Sequence, residues 1–313
     1  MSKLVDGTES SLRAFLDRLP GVDKVGADSR ATMLATRSIK TTSKARAIDL
    51  AISMVDLTTL EGADTPGKIR SLCAKALRPD PADASVPRVG AVCVYNDMVS
   101  IARNYLDSIG GRELPVAAVS TAFPSGRASL EVKLRDTQDA ITAGASEIDM
   151  VIDRGAFLAG RIGEVFEQIV RIKEVCGARA HLKVILETGE LVTYDNVRRA
   201  SFLAMLAGAD FIKTSTGKVT PAATPSVVLV MLEAVRDFHA MTGARIGVKP
   251  AGGIRTTKDA IRQLVLVNET AGPEWLTPTL FRIGASALLN DLLLQRMKLS
   301  TGHYSGANYV TVD

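Results

Sequence analysis

The stretch Gly208-Ala-Asp-Phe-Ile-Lys-Thr-Ser-Thr-Gly-Lys218 decides the predicted fold. A helix-stopping glycine leads into a short apolar run, the run ends in a charged residue, and small residues follow. Gly144-Ala-Ser-Glu-Ile-Asp149 repeats the first part of this pattern, and Val248-Lys-Pro-Ala-Gly-Gly-Ile-Arg255 repeats the second part. A unit of this kind, in which a strand alternates with a helix, indicates a parallel β/α array.

The pattern places two lysines at the ends of neighbouring strands. Lys213 and Lys249 lie 36 residues apart, which is close to the length of one βα unit. Neighbouring strands are roughly 5 Å apart, and two charges at that distance repel by roughly 3 kcal/mol at an effective dielectric of ~20, or ~2 pKa units. Because only a neutral amine is a nucleophile, such a pair predicts a lysine ready to form a Schiff base. The alternative is two solvated surface charges.

The rest of the chain fits a (β/α)8 TIM barrel, because short apolar runs alternate with longer helical patterns. We predict strands over 52–56, 89–94, 115–119, 147–152, 181–186, 210–213, 246–249 and 280–283. We predict helices over 66–77, 97–109, 132–143, 161–176, 193–207, 225–241, 256–270 and 286–298.

No linker rich in Pro, Gly or Ser divides the chain, so residues 1–313 are predicted to form a single domain. Residues 1–50 form an N-terminal extension with helical patterns at 12–19 and roughly 44–52, and its first ten residues are expected to be mobile. The TIM barrel covers 51–299, and 300–313 form a C-terminal tail.

Composition excludes several classes of function. The formal charge is +4 with a pI near 9.0, and the basic residues are dispersed without the interleaved aromatics of a nucleic-acid site. Three cysteines and three histidines are scattered, which argues against a disulfide framework and a metal site. No apolar run is long enough to span a membrane, and the chain is expected to be cytoplasmic. A modest positive balance suits a phosphorylated substrate.

Five charges lie in or at the ends of the predicted strands: Asp56, Asp149, Lys183, Lys213 and Lys249. Catalytic residues of this fold sit at the C-terminal ends of the strands, so the five could form one compensating cluster in the barrel mouth. The alternative is a structural salt-bridge network without a catalytic role. This alternative applies more readily to Asp56 and Lys183 than to the other three residues.

The loops after strands 6 to 8 carry features of a phosphate site. Thr214-Ser-Thr-Gly217-Lys218 offers hydroxyl groups, including that of Thr216, a permissive glycine and a cation. Gly252-Gly253 follows strand 7, and Gly284-Ala-Ser286 opens the last helix. Helix N-termini on these loops commonly bind phosphate. The alternative is a set of ordinary turns and caps.

At this level of detail the chain resembles the deoxyribose-phosphate aldolase family, in a longer, animal-type form, over roughly 50–299. The motifs that carry the resemblance are Met54-Val-Asp-Leu-Thr-Thr-Leu60, Val92-Cys-Val-Tyr95, Glu147-Ile-Asp-Met-Val151, Leu182-Lys-Val-Ile-Leu-Glu-Thr-Gly-Glu-Leu191, Phe211-Ile-Lys-Thr-Ser-Thr-Gly-Lys218, Val248-Lys-Pro-Ala-Gly-Gly-Ile-Arg255 and Phe281-Arg-Ile-Gly-Ala-Ser286. The resemblance implies a class I aldolase that needs no metal or other cofactor. Its reaction would be reversible cleavage of 2-deoxy-D-ribose 5-phosphate to D-glyceraldehyde 3-phosphate and acetaldehyde.

The resemblance also implies roles for individual residues. Lys213 matches the Schiff-base lysine, Lys249 matches a second lysine that favours the neutral form of the first and transfers protons, and Asp149 matches an acid/base aspartate that works through water. The positions that match the phosphate site are Gly217, Lys218, Gly252, Gly253, Gly284 and Ser286, and those that match the pocket lining are Asp56, Thr58 and Lys183. The expected partner is a phosphorylated sugar, and a homo-oligomer is compatible with the resemblance.

The sequence departs from the family pattern at two places. Ala287 stands where many members carry Ser or Thr, and Tyr304 and Tyr309 are the two candidates for a C-terminal tyrosine that reaches the site in some members. The alternative for this tail is a mobile segment that does not enter the site. Two other functions stay open from the sequence. One is a class I aldolase with a different aldehyde acceptor, and the other is a barrel that binds phosphate without catalysis.

Overall fold

The computed structural model describes residues 4–306 and 310, and eight parallel strands form its centre. The strands are β1 Val55–Thr58, β2 Ala91–Val94, β3 Val116–Ser120, β4 Glu147–Val151, β5 His181–Ile185, β6 Phe211–Lys213, β7 Gly247–Lys249 and β8 Ile283–Ala285. Each strand pairs with the next along the chain up to β7, and β1 pairs with β8. Single bridges from Val248 to Phe281 and from Ala251 to Gly284 bring the β8 segment against β7. The predicted (β/α)8 barrel is confirmed.

Twelve α-helices are present in the described residues. They are α1 Glu9–Asp17, α2 Lys24–Ala35, α3 Thr41–Met54, α4 Pro66–Leu77, α5 Val99–Ser108, α6 Leu130–Thr142, α7 Arg154–Leu158, α8 Ile162–Cys176, α9 Tyr194–Leu206, α10 Pro225–Thr242, α11 Thr257–Thr270 and α12 Leu288–Thr301. Threonine caps followed by proline start α4 and α10, since Thr65 and Thr224 accept backbone N–H groups and the proline fixes the first helical φ. No helix in the described part of the chain is long and apolar enough to cross a membrane.

The first and last predicted strands were wrongly placed. Helix α3 continues to Met54, so β1 begins only at Val55 and Asp56 is its second residue rather than its last. Ile48, Ala51 and Ile52 are fully buried at helical spacing, so packing selects the helix where the apolar run predicted a strand.

The eighth strand, predicted at 280–283, is Ile283–Ala285. The backbone N–H groups of Leu280 and Phe281 both donate to the carbonyl of Thr277. This turn holds the chain until Phe281, which delays the start of β8.

The N-terminal segment contains a helix that the sequence did not predict. Helix α2 buries Ala27, Ala31 and Leu34, a row of mostly small side chains with weak amphipathic character, against α10 and α11. Polar contacts hold α2 in place, because the Tyr194 hydroxyl donates to Asp28 Oδ1 at 2.6 Å and Arg30 pairs with Glu233. The helix patterns predicted at 12–19 and 44–52 correspond to α1 and α3. The domain boundaries at residues 50 and 299 stay predictions.

Candidate active site

The two lysines lie at the ends of neighbouring strands, as the sequence pattern predicted. Lys213 ends β6, Lys249 ends β7, and the two residues are direct partners in the register of these strands. Both Nζ atoms lie on one carboxylate oxygen, with Lys213 at 2.8 Å and Lys249 at 2.7 Å from Asp149 Oδ2. The predicted proximity of the two amines is confirmed by this shared contact.

Six buried charged side chains, including Lys249 and Asp149, form a closed ring in which the sign of the charge alternates. We call this the charge ring, and its members in order are Asp56, Lys249, Asp149, Lys183, Glu147 and Arg282. On one side, Lys249 Nζ joins Asp149 to Asp56, whose Oδ2 lies at 2.6 Å. Every cation of the ring therefore contacts at least two carboxylates, and Lys183 Nζ also lies 3.9 Å from Asp56 Oδ2.

The other side of the ring closes through two residues that the sequence did not single out. Lys183 Nζ lies 3.1 Å from Asp149 Oδ1 and also bonds to Glu147. Arg282 donates to Glu147 Oε1 at 2.9 Å and to Asp56 Oδ1 at 2.5 Å. Glu147 stands two residues before Asp149 on the same strand and so on the same face, which is the signal that could have revealed it.

The electrostatics of the ring keep Asp149 and Lys249 ionised. Burial by itself would raise the pKa of Asp149, but the ammonium groups of Lys183, Lys213 and Lys249 outweigh burial and hold that pKa well below its usual range. Burial would lower the pKa of Lys249, but Asp149 and Asp56 outweigh it and hold that pKa well above its usual range. At neutral pH, Asp149 is a carboxylate and Lys249 an ammonium.

A buried thiol adjoins this cluster. Cys93 Sγ in β2 lies 3.9 Å from Asp149 Oδ2, and burial raises the pKa of this thiol, so it stays neutral. Cys93 belongs to the motif Val92-Cys-Val-Tyr95 but was not predicted as a site residue. Among the described residues, no three or more His, Cys, Asp or Glu side chains are arranged to bind a metal ion.

A cavity of about 470 Å³ opens above the ring, between the loops that follow β1, β6, β7 and β8. The predicted site residues that line it are Thr58, Lys213, Thr216, Gly217, Lys218, Gly252, Gly253, Gly284 and Ser286. Asp56, Asp149, Lys183 and Lys249 lie in the ring and are not part of the lining. Lys213 is thus the residue that connects the buried charges to the cavity.

We call the loops with Gly217, Gly252, Gly253 and Gly284, together with the start of α12, the glycine-rich end of the cavity. Gly252 has φ +85°, and a Cβ there would lie 2.7 Å from Ala222 Cβ. A Cβ on Gly284 would lie 2.9 Å from Ala251 Cβ and 3.2 Å from Lys249 Cε. Glycine at these two positions therefore lets the loops that line the cavity pack closely against one another.

Helix α12 adds backbone donors to this end. Its N-cap is Ala287, which has no hydroxyl to accept the first N–H groups, and Ser286 and Ala287 both line the cavity. Free N–H groups at a helix N-terminus attract an anion. The departure from Ser or Thr at position 287 therefore leaves donors available to a ligand.

Two acidic residues hold the loop of Thr216 and Lys218. Glu187 is buried, and its carboxylate accepts the backbone N–H and the hydroxyl of Thr216. Burial raises the pKa of Glu187. At the rim, Lys218 Nζ donates to Glu61 Oε1 at 3.0 Å. Neither Glu187 nor Glu61 was predicted as a site residue.

The structure describes one of the two C-terminal tyrosines that were candidates to reach the site. Tyr304 is 77% exposed and lies under Lys298, whose Nζ is 3.4 Å from the ring centroid. It does not line the cavity. Tyr309 lies outside the described residues.

The fold and the site are those of a (β/α)8 barrel with a cavity at the C-terminal ends of its strands, the usual place of the active site in enzymes of this fold, and a lysine lines that cavity. Residues 50–293 match the family described as DeoC/LacD family aldolase. The chain belongs to this family, which confirms the predicted enzyme class.

Relatives agree with the family assignment. The chain is 46% identical over 279 residues to a deoxyribose-phosphate aldolase of Mus musculus, with 87% of each chain covered. It is 42% identical over 314 residues to a deoxyribose-phosphate aldolase of Bos taurus, with 97% and 98% covered. A solved structure from Coccidioides immitis matches with a TM-score of 0.66 and 30% identity, over 88% of this chain and 99% of that one.

Proposed function

We propose that this aldolase reversibly cleaves 2-deoxy-D-ribose 5-phosphate to D-glyceraldehyde 3-phosphate and acetaldehyde, with Lys213 as the Schiff-base residue. One observation carries the proposal: Lys213 touches the buried charges through Asp149 and also lines the cavity. The deoxyribose-phosphate aldolases of mouse and cattle support the substrate, because the chain is similar to each over most of its length.

The first half of the reaction makes an iminium at Lys213. The neutral amine attacks C1 of the open-chain sugar, and loss of water leaves an iminium that can accept an electron pair. The C3 hydroxyl then gives up its proton, the C2–C3 bond breaks, and its electrons form the enamine while glyceraldehyde 3-phosphate leaves.

The second half returns the enzyme to its starting state. The enamine takes a proton at C2, and water hydrolyses the resulting iminium to release acetaldehyde and free Lys213. Lys249 carries a proton at neutral pH and Asp149 does not, so we assign the donor role to Lys249 and the acceptor role to Asp149. Both would act through water.

The glycine-rich end suits the phosphate. Its backbone N–H groups and the uncapped start of α12 provide neutral donors, and Lys218 provides a point charge. Because Lys213 also lines the cavity, a sugar bound there by its phosphate would direct its carbonyl toward the amine.

Borohydride trapping tests the proposal. The protein is mixed with 2-deoxyribose 5-phosphate and borohydride, and the digest is mapped by mass spectrometry. We expect a substrate-dependent adduct on Lys213 and none on Lys133, a buried lysine on α6 outside the cavity. A folded protein without an adduct at Lys213 would refute the assignment. A cytoplasmic location and a homo-oligomeric state stay predictions from the sequence.

A further inference from the structure

The buried charges at the site do not balance. The charge ring contains three carboxylates and three cations, and each of these cations contacts at least two carboxylates. Lys213 is a fourth cation when protonated. Among the described residues, its one ion-pair partner is Asp149, through the oxygen that Lys249 also contacts.

This surplus decides which group can lose a proton most easily. Lys213 is only 2% exposed, so its charge is a net positive charge in a site with little water. Deprotonating Lys183 or Lys249 would break the ring, and a guanidinium such as that of Arg282 does not deprotonate in proteins. Loss of the proton from Lys213 leaves the ring intact and neutral.

The other titratable groups near Lys213 lie on β2 and on the loops around the cavity. Glu187, which follows β5, is a buried carboxyl bonded to Thr216, and burial raises its pKa. Cys93 on β2 is a neutral thiol. At the cavity wall, Lys218 pairs with Glu61 and Lys68 pairs with Asp64. Arg255 adds another positive charge to the lining. None of these groups belongs to the ring, so a change within the ring alters the charge near Lys213 and leaves them in place.

We propose that Glu147 and Arg282 are positioning residues that set the pH at which Lys213 becomes a nucleophile. They act through the ring, because Glu147 bonds to Lys183 and Arg282, and Arg282 bonds to Asp56 and Glu147. This inference deepens the proposed function and rests on it for the role of the amine. Since the two residues carry opposite charges, it makes predictions of opposite sign.

Removing one charge at a time should move that pH in opposite directions. Glu147→Gln leaves the ring with a net positive charge, which opposes protonation of Lys213, and Arg282→Met leaves a net negative charge, which favours it. Each shift should be roughly one pH unit, as for charges roughly 10 Å apart at an effective dielectric of about 20. The double variant restores the balance and should lie close to the unaltered protein.

The measurement needs no sugar. Formaldehyde condenses with a neutral amine to an iminium with loss of water, and cyanoborohydride adds hydride to give N-methyl-lysine. Labelling of Lys213 is followed by mass spectrometry from neutral to alkaline pH and normalised to the exposed Lys258. The midpoint of labelling then reports the charge of Lys213. Failure of sugar trapping would count against the proposed function and leave this test readable.

An ion pair away from the site, with a buried arginine and a partly exposed aspartate, supplies the controls. Arg198 is 7% exposed and donates to Asp237 at 2.6 Å. Arg198→Met and Asp237→Asn should leave the midpoint unchanged. The inference is wrong if the two ring variants shift the midpoint in the same direction or leave it where it is.

A conservative variant protects the test against misfolding. Arg282→Lys keeps the charge, so its midpoint should stay near that of the unaltered protein while Arg282→Met moves upward. This comparison decides the question even where Glu147→Gln fails to fold. Equal midpoints for the Lys and Met variants would overturn the role of the Arg282 charge.

Discussion

The charge ring and the glycine-rich end of the cavity lie on the same barrel but are constructed in different ways. The ring consists of side chains within and beside the strands. All are at most 6% exposed, and each forms ion pairs with both of its neighbours in the ring. The glycine-rich end consists of backbone at positive φ and of partly exposed residues such as Lys218. The ring should therefore control the charge of Lys213 and the stability of the folded protein, whereas the glycine-rich end should control the affinity for an anion.

Lys213→Ala should have the largest effect on activity, and it tests whether catalysis can be lost while the charge ring stays intact. Turnover should be abolished because, in the described part of the chain, Lys213 is the amine that both lines the cavity and contacts Asp149. The fold should survive because the remaining ring is neutral. Activity and thermal unfolding would be measured together, and the change in unfolding free energy should stay within ~1 kcal/mol. Lys213→Arg, which keeps the charge, should be equally inactive. Residual turnover near the wild-type rate would contradict the Schiff-base assignment.

Lys249→Leu should reduce activity and destabilise the protein together. It removes a cation from between Asp56 and Asp149, so the ring becomes negative and Lys213 stays protonated. Activity at neutral pH should fall by ~100-fold, equivalent to ~2 pKa units, and the loss of one partner of a buried ion pair should destabilise by ~3–5 kcal/mol.

The pH–rate profile distinguishes the two effects of Lys249→Leu. Its rising limb should move to higher pH, which loss of stability alone would not cause. Lys133→Leu is a matched control, since Lys133 is equally buried and bonds to Gln168 at 2.7 Å on the outer layer. An unshifted profile in Lys249→Leu would refute the coupling between the two lysines.

The same contrast explains what could be predicted from the sequence. Lys213, Lys249 and Asp149 carry a local signal, because each stands in a short apolar run that follows a helix-stopping glycine or precedes a small-residue loop. The closure of the ring has no local signal. Arg282 meets Asp56 across 226 residues of chain and Glu147 across 135. Only the curvature of the barrel brings them together.

The errors in the fold have a similar origin. The start of β1 was misplaced because the run Ile52-Ser-Met-Val-Asp56 is apolar enough for a strand, and only packing against the barrel shows that its first three residues end α3. Helix α2 buries small side chains, so its interaction with α10 and α11 leaves little periodicity in the sequence. Tertiary contacts decide both elements.

Gly252→Ala should weaken anion binding at the glycine-rich end without disturbing the charge ring. The added methyl would meet Ala222 Cβ at 2.7 Å and hold a side chain at φ +85°. We expect KM for 2-deoxyribose 5-phosphate to rise ~10-fold, equivalent to ~1.4 kcal/mol, with kcat little changed. Gly243→Ala is the control, since Gly243 has φ +75° with no neighbouring atom within 4 Å and lies at the end of α10. A similar rise in KM there would assign the effect to general backbone strain.

Lys218→Met and Glu61→Gln should give the smallest effects, in opposite directions. Lys218 now shares its charge with Glu61 at 3.0 Å, and a phosphate bound there would compete with that carboxylate. Removing Lys218 should raise KM for the phosphorylated sugar by ~3–10-fold, and removing the Glu61 charge should lower KM by a smaller factor.

Both changes in KM should shrink as salt is added, because Lys218 and Glu61 are partly exposed and ions screen them. Steady-state kinetics with unphosphorylated 2-deoxyribose is the control, since neither variant should alter its KM. A change of equal size with that sugar would mean that Lys218 positions the loop instead of attracting the phosphate. Lys218 would then contribute to the glycine-rich end through packing and not through its charge.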